Sequence, residues 1–130
     1  MSSRKILFYS LFIIGLVAAL HISAMNFYLY WSYAWFDYLV HFLAGVGGGL
    51  AAFACLFNQR SPLKNRGPVS KFILTVSALM FWGVAWEYFE YKNGWLDHHE
   101  SSWQLDVLMD LLMDFSGAVL ATIFSLKKHG

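Results

Sequence analysis

The stretch FDYLVHFLAGVGGGLAAFACLF, residues 36–57, restricts the possible folds more than any other part of the chain. It is a long apolar run in which only Asp37 and His41 carry strongly polar side chains. A helix needs about 20 such residues to cross a bilayer. In lipid every backbone polar group must be bonded within the protein, and these residues do not alternate as the strands of a barrel would. The run therefore predicts a transmembrane helix.

Three further apolar stretches accompany it, at residues 6–22, 72–91 and 105–126. Apolar residues make up 58% of the chain and charged residues 13%, against about 25% charged residues in an average soluble domain. The solvent and main partner of such a chain is the lipid bilayer. We therefore predict an all-α membrane protein, in which residues 1–130 form a single transmembrane domain, a four-helix transmembrane bundle. The net charge of +1 indicates no nucleic-acid partner.

The basic residues predict the orientation of the bundle. Eight of the nine lysines and arginines precede the first stretch, lie between the second and third, or follow the fourth, and Lys92 is the exception. By the positive-inside rule these segments face the cytoplasm, so both termini are cytoplasmic. The opposite, outer interface then carries an aromatic belt formed by Trp31, Trp35, Trp95 and Trp103.

Small residues predict close helix packing. Gly45 and Gly49 are four apart, so they share one face of the second helix, and small residues at this spacing let two helix backbones approach closely. We expect this face to pack within the bundle. The alternative is a homo-oligomer that forms through the same face.

Titratable residues gather in the outer portions of three helices. Their spacings of three or four residues put the members on each helix on one face, and a charged residue at this depth faces the bundle interior or a water-filled cavity. This acidic cluster consists of Asp37 and His41 on the second helix, Glu87 and Glu90 on the third, and Asp106, Asp110 and Asp114 on the fourth.

Six carboxylates and one imidazole in so small a volume raise a charge problem. Two solutions exist: some carboxyl groups stay protonated and hydrogen-bond, or a cation binds. Carboxylates with one imidazole suit a divalent metal ion such as Mg²⁺, Mn²⁺, Zn²⁺ or non-haem iron. The rival interpretations are a buried hydrogen-bonded layer that sets helix register and a path for protons or cations.

Matching depths predict which residues meet. His41, Glu87 and Asp110 each sit a similar distance inside their helices, so we expect them to converge on one centre. Asp114 is then a deeper ligand or a partner that orients one, and Asp37 holds the other ring nitrogen of His41. The residues Asp97, His98, His99 and Glu100 form a second polar group in the outer loop, which we expect to be solvated.

Three sequence motifs carry a family resemblance: WFDYLVHFLAG at 35–45, WEYFEY at 86–91 and DVLMDLLMDFSGA at 106–118. They resemble the bacterial YjdF-type inner-membrane family, with D-x-x-x-H-F, W-E-x-x-E and D-x-x-x-D-x-x-x-D-x-x-G-A on successive helices. The VanZ-like family is similar, but typically has Gln and Asn in place of Glu90 and Asp114. The resemblance covers residues 35–121 and implies a multi-pass protein of the bacterial inner (plasma) membrane. It implies no particular reaction, and the VanZ-like link to glycopeptide resistance points to cell-envelope lipids.

The acidic cluster is compatible with four functions. The first is a metal-assisted hydrolase or transferase at the outer interface, with His41, Glu87, Asp110 and Asp114 as ligands and Asp37 or Glu90 as base or orienting group. No nucleophile stands beside a base, so no catalytic residue is identified, and the sequence leaves open whether the protein is an enzyme. The second is a non-catalytic protein that binds a cation or a polar or lipid-linked ligand. The third is an accessory or scaffold subunit of a larger membrane complex, in which the acidic cluster is a buried hydrogen-bonded layer. The fourth is proton or cation transport.

Overall fold

The computed structural model of the chain describes residues 1–95 and 102–129. These residues form α1 (Ser3–Asn26), α2 (Leu29–Ser32), α3 (Ala34–Leu56), α4 (Pro68–Lys92) and α5 (Trp103–His129). All but the short α2 are long and apolar enough to cross a membrane. The prediction of an all-α fold with four transmembrane helices is therefore confirmed, and the described residues contain no strand.

Three of the four long helices extend beyond both ends of the apolar runs that predicted them, and α3 extends beyond its run only at the start. The first begins at Ser3 rather than residue 6 and ends at Asn26 rather than residue 22. Hydropathy marks the part of a helix that lies in lipid, whereas backbone hydrogen bonding continues until a turn stops it. After α1 the chain turns through Tyr28, whose φ of 56° lies in the left-handed region, and this turn starts the unpredicted α2.

The centre of the bundle is the pair α3 and α5. Helix α1 lies against α3, and α4 packs mainly against α5 and less against α3. A Cβ on Gly45 would collide with the carbonyl oxygen of Asp114, and one on Gly49 would lie 3.0 Å from Cβ of Ala121. Gly117 of α5 likewise approaches the carbonyl of Phe42. The face predicted from Gly45 and Gly49 thus packs within the chain, with the two backbones in close approach.

Three consecutive glycines let α3 contact every other long helix. Successive residues of an α-helix point about 100° apart, so neighbours in sequence face different directions. Gly47 faces α1, and its carbonyl accepts a 2.8 Å hydrogen bond from Ser10 Oγ. Gly48 lies against the side chain of Leu79 on α4, and Gly49 faces α5. Helix α3 therefore organises the bundle.

The two chain ends meet at one end of the bundle. The amino group of Met1 donates a hydrogen bond to the carbonyl of Lys128, and Ser3 Oγ lies 3.2 Å from Nε2 of His129. Four long helices return the chain to the side where it began, as an even number of crossings requires. The opposite end, which we call the distal end, contains the first turns of α3 and α5 and the last turns of α4.

Candidate metal centre

The acidic cluster lies at the distal end, within three different helices. Asp37 and His41 occupy the first turns of α3, and Glu87 and Glu90 occupy the last turns of α4. The remaining three carboxylates follow one another at four-residue intervals on α5, from Asp106 inward. The close approach of α3 to α5 brings these side chains within reach of one another.

His41 is the hub of the cluster. Its Nε2 lies 3.6 Å from Asp37 Oδ1, 3.7 Å from Asp110 Oδ2 and 4.0 Å from Glu87 Oε1. Each of these distances exceeds the usual 2.7–3.2 Å of a hydrogen bond. Three carboxylates from three helices therefore surround this nitrogen without bonding it.

The other ring nitrogen of His41 has a different partner. Its Nδ1 lies 3.3 Å from Oδ1 of Asp114, and the two side chains form a buried hydrogen bond. The expectation that Asp37 would hold this nitrogen is wrong, because Asp37 faces Nε2 from one turn along the same helix. In a neutral imidazole, an Nδ1–H that donates to Asp114 leaves the lone pair on Nε2, directed at the remaining carboxylates.

Burial removes most of the cluster from solvent. The exposed fractions are 1% for Asp110, 5% for Asp114, 6% for Glu87 and 7% for His41. Both carboxylate oxygens of Glu87 and Oδ1 of Asp110 are buried without a hydrogen-bond partner in the part of the chain that the structure describes. Burying an unpaired carboxylate costs several kcal/mol of folding free energy. Protonation of these groups, a bound cation, or both would reduce that cost.

Cationic side chains do not solve the charge problem. Among the described residues, every ion-pair contact of the acidic cluster runs to His41. Lys92 ends α4 at the distal end, but its ammonium lies over the ring of Tyr88, 5.5 Å from the centroid. The imidazole therefore faces its carboxylates without help from lysine or arginine.

Two cluster members lie further from the hub. One carboxylate oxygen of Glu90 lies within 4.8 Å of a ring nitrogen of His41 and of a carboxylate oxygen of Glu87. The side chain of Trp86 donates a hydrogen bond to the Glu90 carboxylate. Asp106 is half-buried, one turn outward of Asp110 on α5, and belongs to neither group of metal-compatible donors. The outer-loop residues Asp97, His98, His99 and Glu100 lie outside the described residues.

An aromatic contact that the sequence did not predict lies beside the acidic cluster. The hydroxyl of Tyr30, on α2, lies 2.8 Å from Nδ1 of His21, near the end of α1. The rings of Trp86 and Trp95 flank His21, with centroids 6.0 and 6.4 Å away. A signal was available, because His21 is a polar residue near the end of the otherwise apolar first stretch.

The electrostatics of Tyr30 show how close it is to the cluster. Burial raises the pKa of its phenol well above the usual range, and the negative charges of Asp37, Glu90 and Asp110 raise that pKa further. Tyr30, in the connection between α1 and α3, therefore lies within the electrostatic field of these carboxylates.

The donor atoms have the spacing that a divalent cation requires. Ligands at about 2.0–2.3 Å from one ion, with ordinary bond angles, lie roughly 3.0–3.8 Å apart. The separations of 3.6 and 3.7 Å around His41 Nε2 fall in this range, and the 4.0 Å to Glu87 needs a small side-chain movement. The group formed by Asp37, His41 and Asp110 could hold a metal ion, and so could the group formed by His41, Glu87 and Glu90.

Comparison with known proteins supports the membrane assignment. Residues 4–130 match a family model described as "Predicted membrane protein (DUF2238)". The match includes all of α3, α4 and α5 and nearly all of α1. No curated protein and no solved structure matches the chain.

Proposed function

This chain belongs to DUF2238, a family of predicted membrane proteins, and we propose that it binds a divalent cation in the outer half of its helix bundle. One observation carries the proposal. Both carboxylate oxygens of Glu87, and one of Asp110, are buried beside His41 with no hydrogen-bond partner among the described residues. A cation at this point would bind these oxygens and offset their desolvation.

Protonation alone accounts less well for this geometry. A protonated carboxyl group buried in a bundle needs an acceptor for its proton, as does any buried donor. The carboxylate oxygens near His41 Nε2 stand 3.6–4.0 Å from it, beyond hydrogen-bond distance but close to the separation of two ligands on one ion. A hydrogen-bonded polar layer would bring such groups closer together.

The Asp114 carboxylate prepares His41 as a ligand. Metal-binding histidines commonly donate their second ring N–H to a carboxylate, which orients the ring and makes the other nitrogen a better ligand. The Nδ1 of His41 meets Asp114 in this way, while Nε2 faces Asp37, Asp110 and Glu87. The proposed ligands are thus the imidazole and these carboxylates, with Asp114 as the orienting partner.

The distal end is proposed to face the outside of a bacterial inner membrane, with both termini in the cytoplasm. The bias of lysine and arginine toward the other end supports this orientation, as do the exposed rings of Trp31, Trp35 and Trp95 at the distal end. The motif resemblance to the YjdF-type and VanZ-like families supports the same location. The site would then be reached from the outer leaflet.

A polar or lipid-linked ligand of the cell envelope is the proposed partner of the centre. The side chain of Asp37 is 30% exposed, so the cluster is open to the distal surface on the α3 side. A bound divalent cation supplies a Lewis acid that polarises a phosphoryl or carbonyl oxygen. The acidic cluster would hold this cation, which would supply the Lewis acid for hydrolysis or group transfer on such a ligand.

A second candidate is an accessory subunit of a larger membrane complex. An apolar groove of about 360 Å³ runs between α1, α3 and α5, lined by Tyr9, Val46 and Phe124 among others. A helix of a second copy or of another protein would fit such a surface, and ordinary lipid would fit it too. Transport has less support, because small residues of α3 and α5 pack closely below Asp114.

Metal analysis tests the proposal. We expect protein purified in detergent from metal-supplemented cells to retain at least one divalent cation per chain. The variants Glu87→Gln and Asp110→Asn, which keep the shape of the side chains, should lose most of it. The control Asp97→Asn removes an acid outside the acidic cluster and should retain the metal. The proposal would be overturned, in favour of the hydrogen-bonded layer, if the wild-type protein contains no metal and its melting temperature does not rise when Mn²⁺, Mg²⁺ or Zn²⁺ is added.

A further inference from the structure

The end of the bundle where the two chain ends meet, which we call the proximal end, has features of a lipid site. We propose that it binds one anionic phospholipid, with the phosphate at Arg4 and Lys5 and an acyl chain in the groove between α1, α3 and α5. The site lies at the opposite end of the molecule from the acidic cluster and does not depend on a cation there.

Two adjoining cavities form the proposed site. An open hollow of about 310 Å³ lies on the first turns of α1, lined by Arg4, Lys5, Phe8 and Tyr9. The apolar groove of about 360 Å³ also has Tyr9 on its wall. Because Tyr9 lines both, the basic hollow and the apolar groove meet at its ring. A phospholipid has the same division into a charged head and an apolar chain.

The groove runs along the helices. Helix α3 packs against both α1 and α5 and forms the floor between them. Each helix contributes two apolar residues four apart, which therefore share one face. These pairs are Tyr9 and Ile13 of α1, Val46 and Leu50 of α3, and Leu120 and Phe124 of α5. A hydrocarbon chain that lies parallel to the helices would contact all three.

The depth of the groove matches one lipid leaflet. From Lys5 to Ile13 the helix rises by about 12 Å, and half of the hydrocarbon core of a bilayer is about 15 Å thick. On α5, Lys128 follows Phe124 by four residues, so it continues the groove-lining face toward the proximal end. Cationic residues thus stand at the mouth of the groove, where the phosphate of a lipid in this leaflet would lie.

The cations at this mouth have no acidic partners. The segments that form the proximal end, residues 1–10, 50–75 and 120–129, contain no aspartate or glutamate. Arg4 and Lys5 are exposed, and neither forms an ion pair among the described residues. Guanidinium and ammonium groups bind phosphate oxygens through charge-assisted hydrogen bonds. Basic pockets between transmembrane helices bind anionic lipid head groups in this way.

A second copy of the chain fits the groove less well than a lipid does. In one membrane the two copies would have the same orientation, so the proximal end of the second copy would lie beside the proximal end of the first. Both ends are basic, and like charges brought together oppose association. A lipid with a net negative head group brings the opposite charge.

Native mass spectrometry tests the proposal. Purified full-length protein in detergent micelles would be titrated with dioleoyl phosphatidylglycerol, and in parallel with dioleoyl phosphatidylcholine, which has the same chains but no net charge. We expect one phosphatidylglycerol per chain, retained at lower lipid concentration than phosphatidylcholine. Dihexanoyl phosphatidylglycerol, whose short chains cannot fill the groove, should bind more weakly than the dioleoyl lipid.

Two double variants locate the head group. Arg4→Gln/Lys5→Gln should need roughly tenfold more phosphatidylglycerol for half occupancy, because each basic residue near an anionic lipid contributes about fivefold. Lys64→Gln/Arg66→Gln is the matched control, since it removes the same charge from the connection between α3 and α4, and neither residue lines the hollow or the groove. The control should bind like the wild type.

Three results would overturn the proposal. Equal retention of the two dioleoyl lipids by the wild type would show that the site does not select an anionic head group, and this comparison needs no variant. Equal weakening in both double variants would show a diffuse attraction to a basic surface. A wild-type dimer that excludes phosphatidylglycerol would assign the groove to a second copy. None of these results bears on cation binding at the acidic cluster, which metal analysis tests separately.

Discussion

Gly45 of α3 lies against the backbone carbonyl of Asp114 on α5, so close that a Cβ at position 45 would collide with that oxygen. The same Asp114 accepts the hydrogen bond from His41, which lies one turn from Gly45 on α3. The packing of α3 against α5 and the orientation of the His41 imidazole therefore depend on each other. A change that separates α3 from α5 also separates His41 from its carboxylate.

Gly45→Ala should destabilise the bundle. The added methyl group meets backbone rather than a flexible side chain, so the helices must move apart, and overpacking of this kind costs about 1–3 kcal/mol. Thermal unfolding in detergent, followed by circular dichroism, measures the effect. Gly15→Ala is the matched control, because a Cβ there has no atom within 4 Å, and its melting temperature should be unchanged or higher. Equal melting temperatures for wild type and Gly45→Ala would show that α3 and α5 lie far enough apart at this point to accept a methyl group.

Gly83→Ala should weaken cation binding with a smaller effect on stability. A Cβ at position 83 would lie 2.9 Å from Oδ2 of Asp114, the end of a side chain that can rotate away. The rotation would take Oδ1 from His41 and leave the imidazole poorly oriented. Titration with Mn²⁺ and thermal unfolding of the same sample measure the two effects. A Gly83→Ala protein that is much less stable than wild type but binds Mn²⁺ with the wild-type affinity would contradict this prediction.

His41→Ala and Asp114→Asn should differ in their effect on the metal centre. Removing the imidazole removes a ligand, so metal content should fall sharply. Replacing Asp114 removes only the orienting carboxylate, and losing such a partner costs typically about 10–100-fold in affinity. Binding to Asp114→Asn should therefore be recovered at higher Mn²⁺ concentration. His129→Ala is the control for loss of a histidine and should retain the metal. If both cluster variants lose the same amount of metal, and higher Mn²⁺ concentration does not restore binding to Asp114→Asn, then Asp114 is itself a ligand.

Tyr30 should stay protonated at an alkaline pH at which a tyrosine with the ordinary pKa of about 10 ionises. Its pKa in the folded protein is raised above the ordinary value of about 10 by burial and by the nearby carboxylates. A raised pKa means that the folded state binds the phenolic proton more tightly than the unfolded state. Its contribution to stability is complete below pH of about 10 and is lost as the pH rises toward the folded pKa.

Ultraviolet titration of the tyrosines measures this behaviour. The difference between wild type and Tyr30→Phe should show no phenolate from Tyr30 at pH of about 10, where an ordinary tyrosine is half ionised. Tyr30→Phe should also lose less stability than wild type between neutral and alkaline pH. A Tyr30 that ionises with an ordinary pKa would mean that the phenol is open to water.

Reporter fusions should place both termini in the cytoplasm. A reporter fused after Gly130 should behave as cytoplasmic, because basic residues flank that end of the bundle. A reporter inserted near Gly94, in the connection between α4 and α5, should behave as external. Gly94 itself has a φ of 69° with no atom near its Cβ position, so an insertion there disturbs little packing. An external C-terminus would reverse the orientation proposed for the metal centre.

The four long helices, and the positions of the acidic cluster along them, could be predicted from the amino-acid sequence. Lipid leaves an apolar run of this length no alternative to a helix or a barrel strand, so residues 36–57 and their three counterparts were sufficient. Helical periodicity then put Asp37 beside His41 and aligned Asp110 with Asp114, and the need to hide charge from lipid turned these faces inward. Helix ends were less predictable, because turns such as the one at Tyr28 end a helix independently of hydropathy.

Which atoms of the cluster meet could not be predicted from the sequence, because it depends on how the helices pack. Periodicity specifies the face and depth of a side chain, but not how far one helix is rotated or how closely it approaches its neighbour. Those quantities depend on packing, here on Gly45 against the carbonyl of Asp114 and on Gly83 beside its carboxylate. Because of this packing, Nδ1 of His41 hydrogen-bonds Asp114 rather than Asp37. Its Nε2 faces carboxylates from three helices. The pairing of His21 with Tyr30 is likewise a product of how the short α2 folds back beside α1.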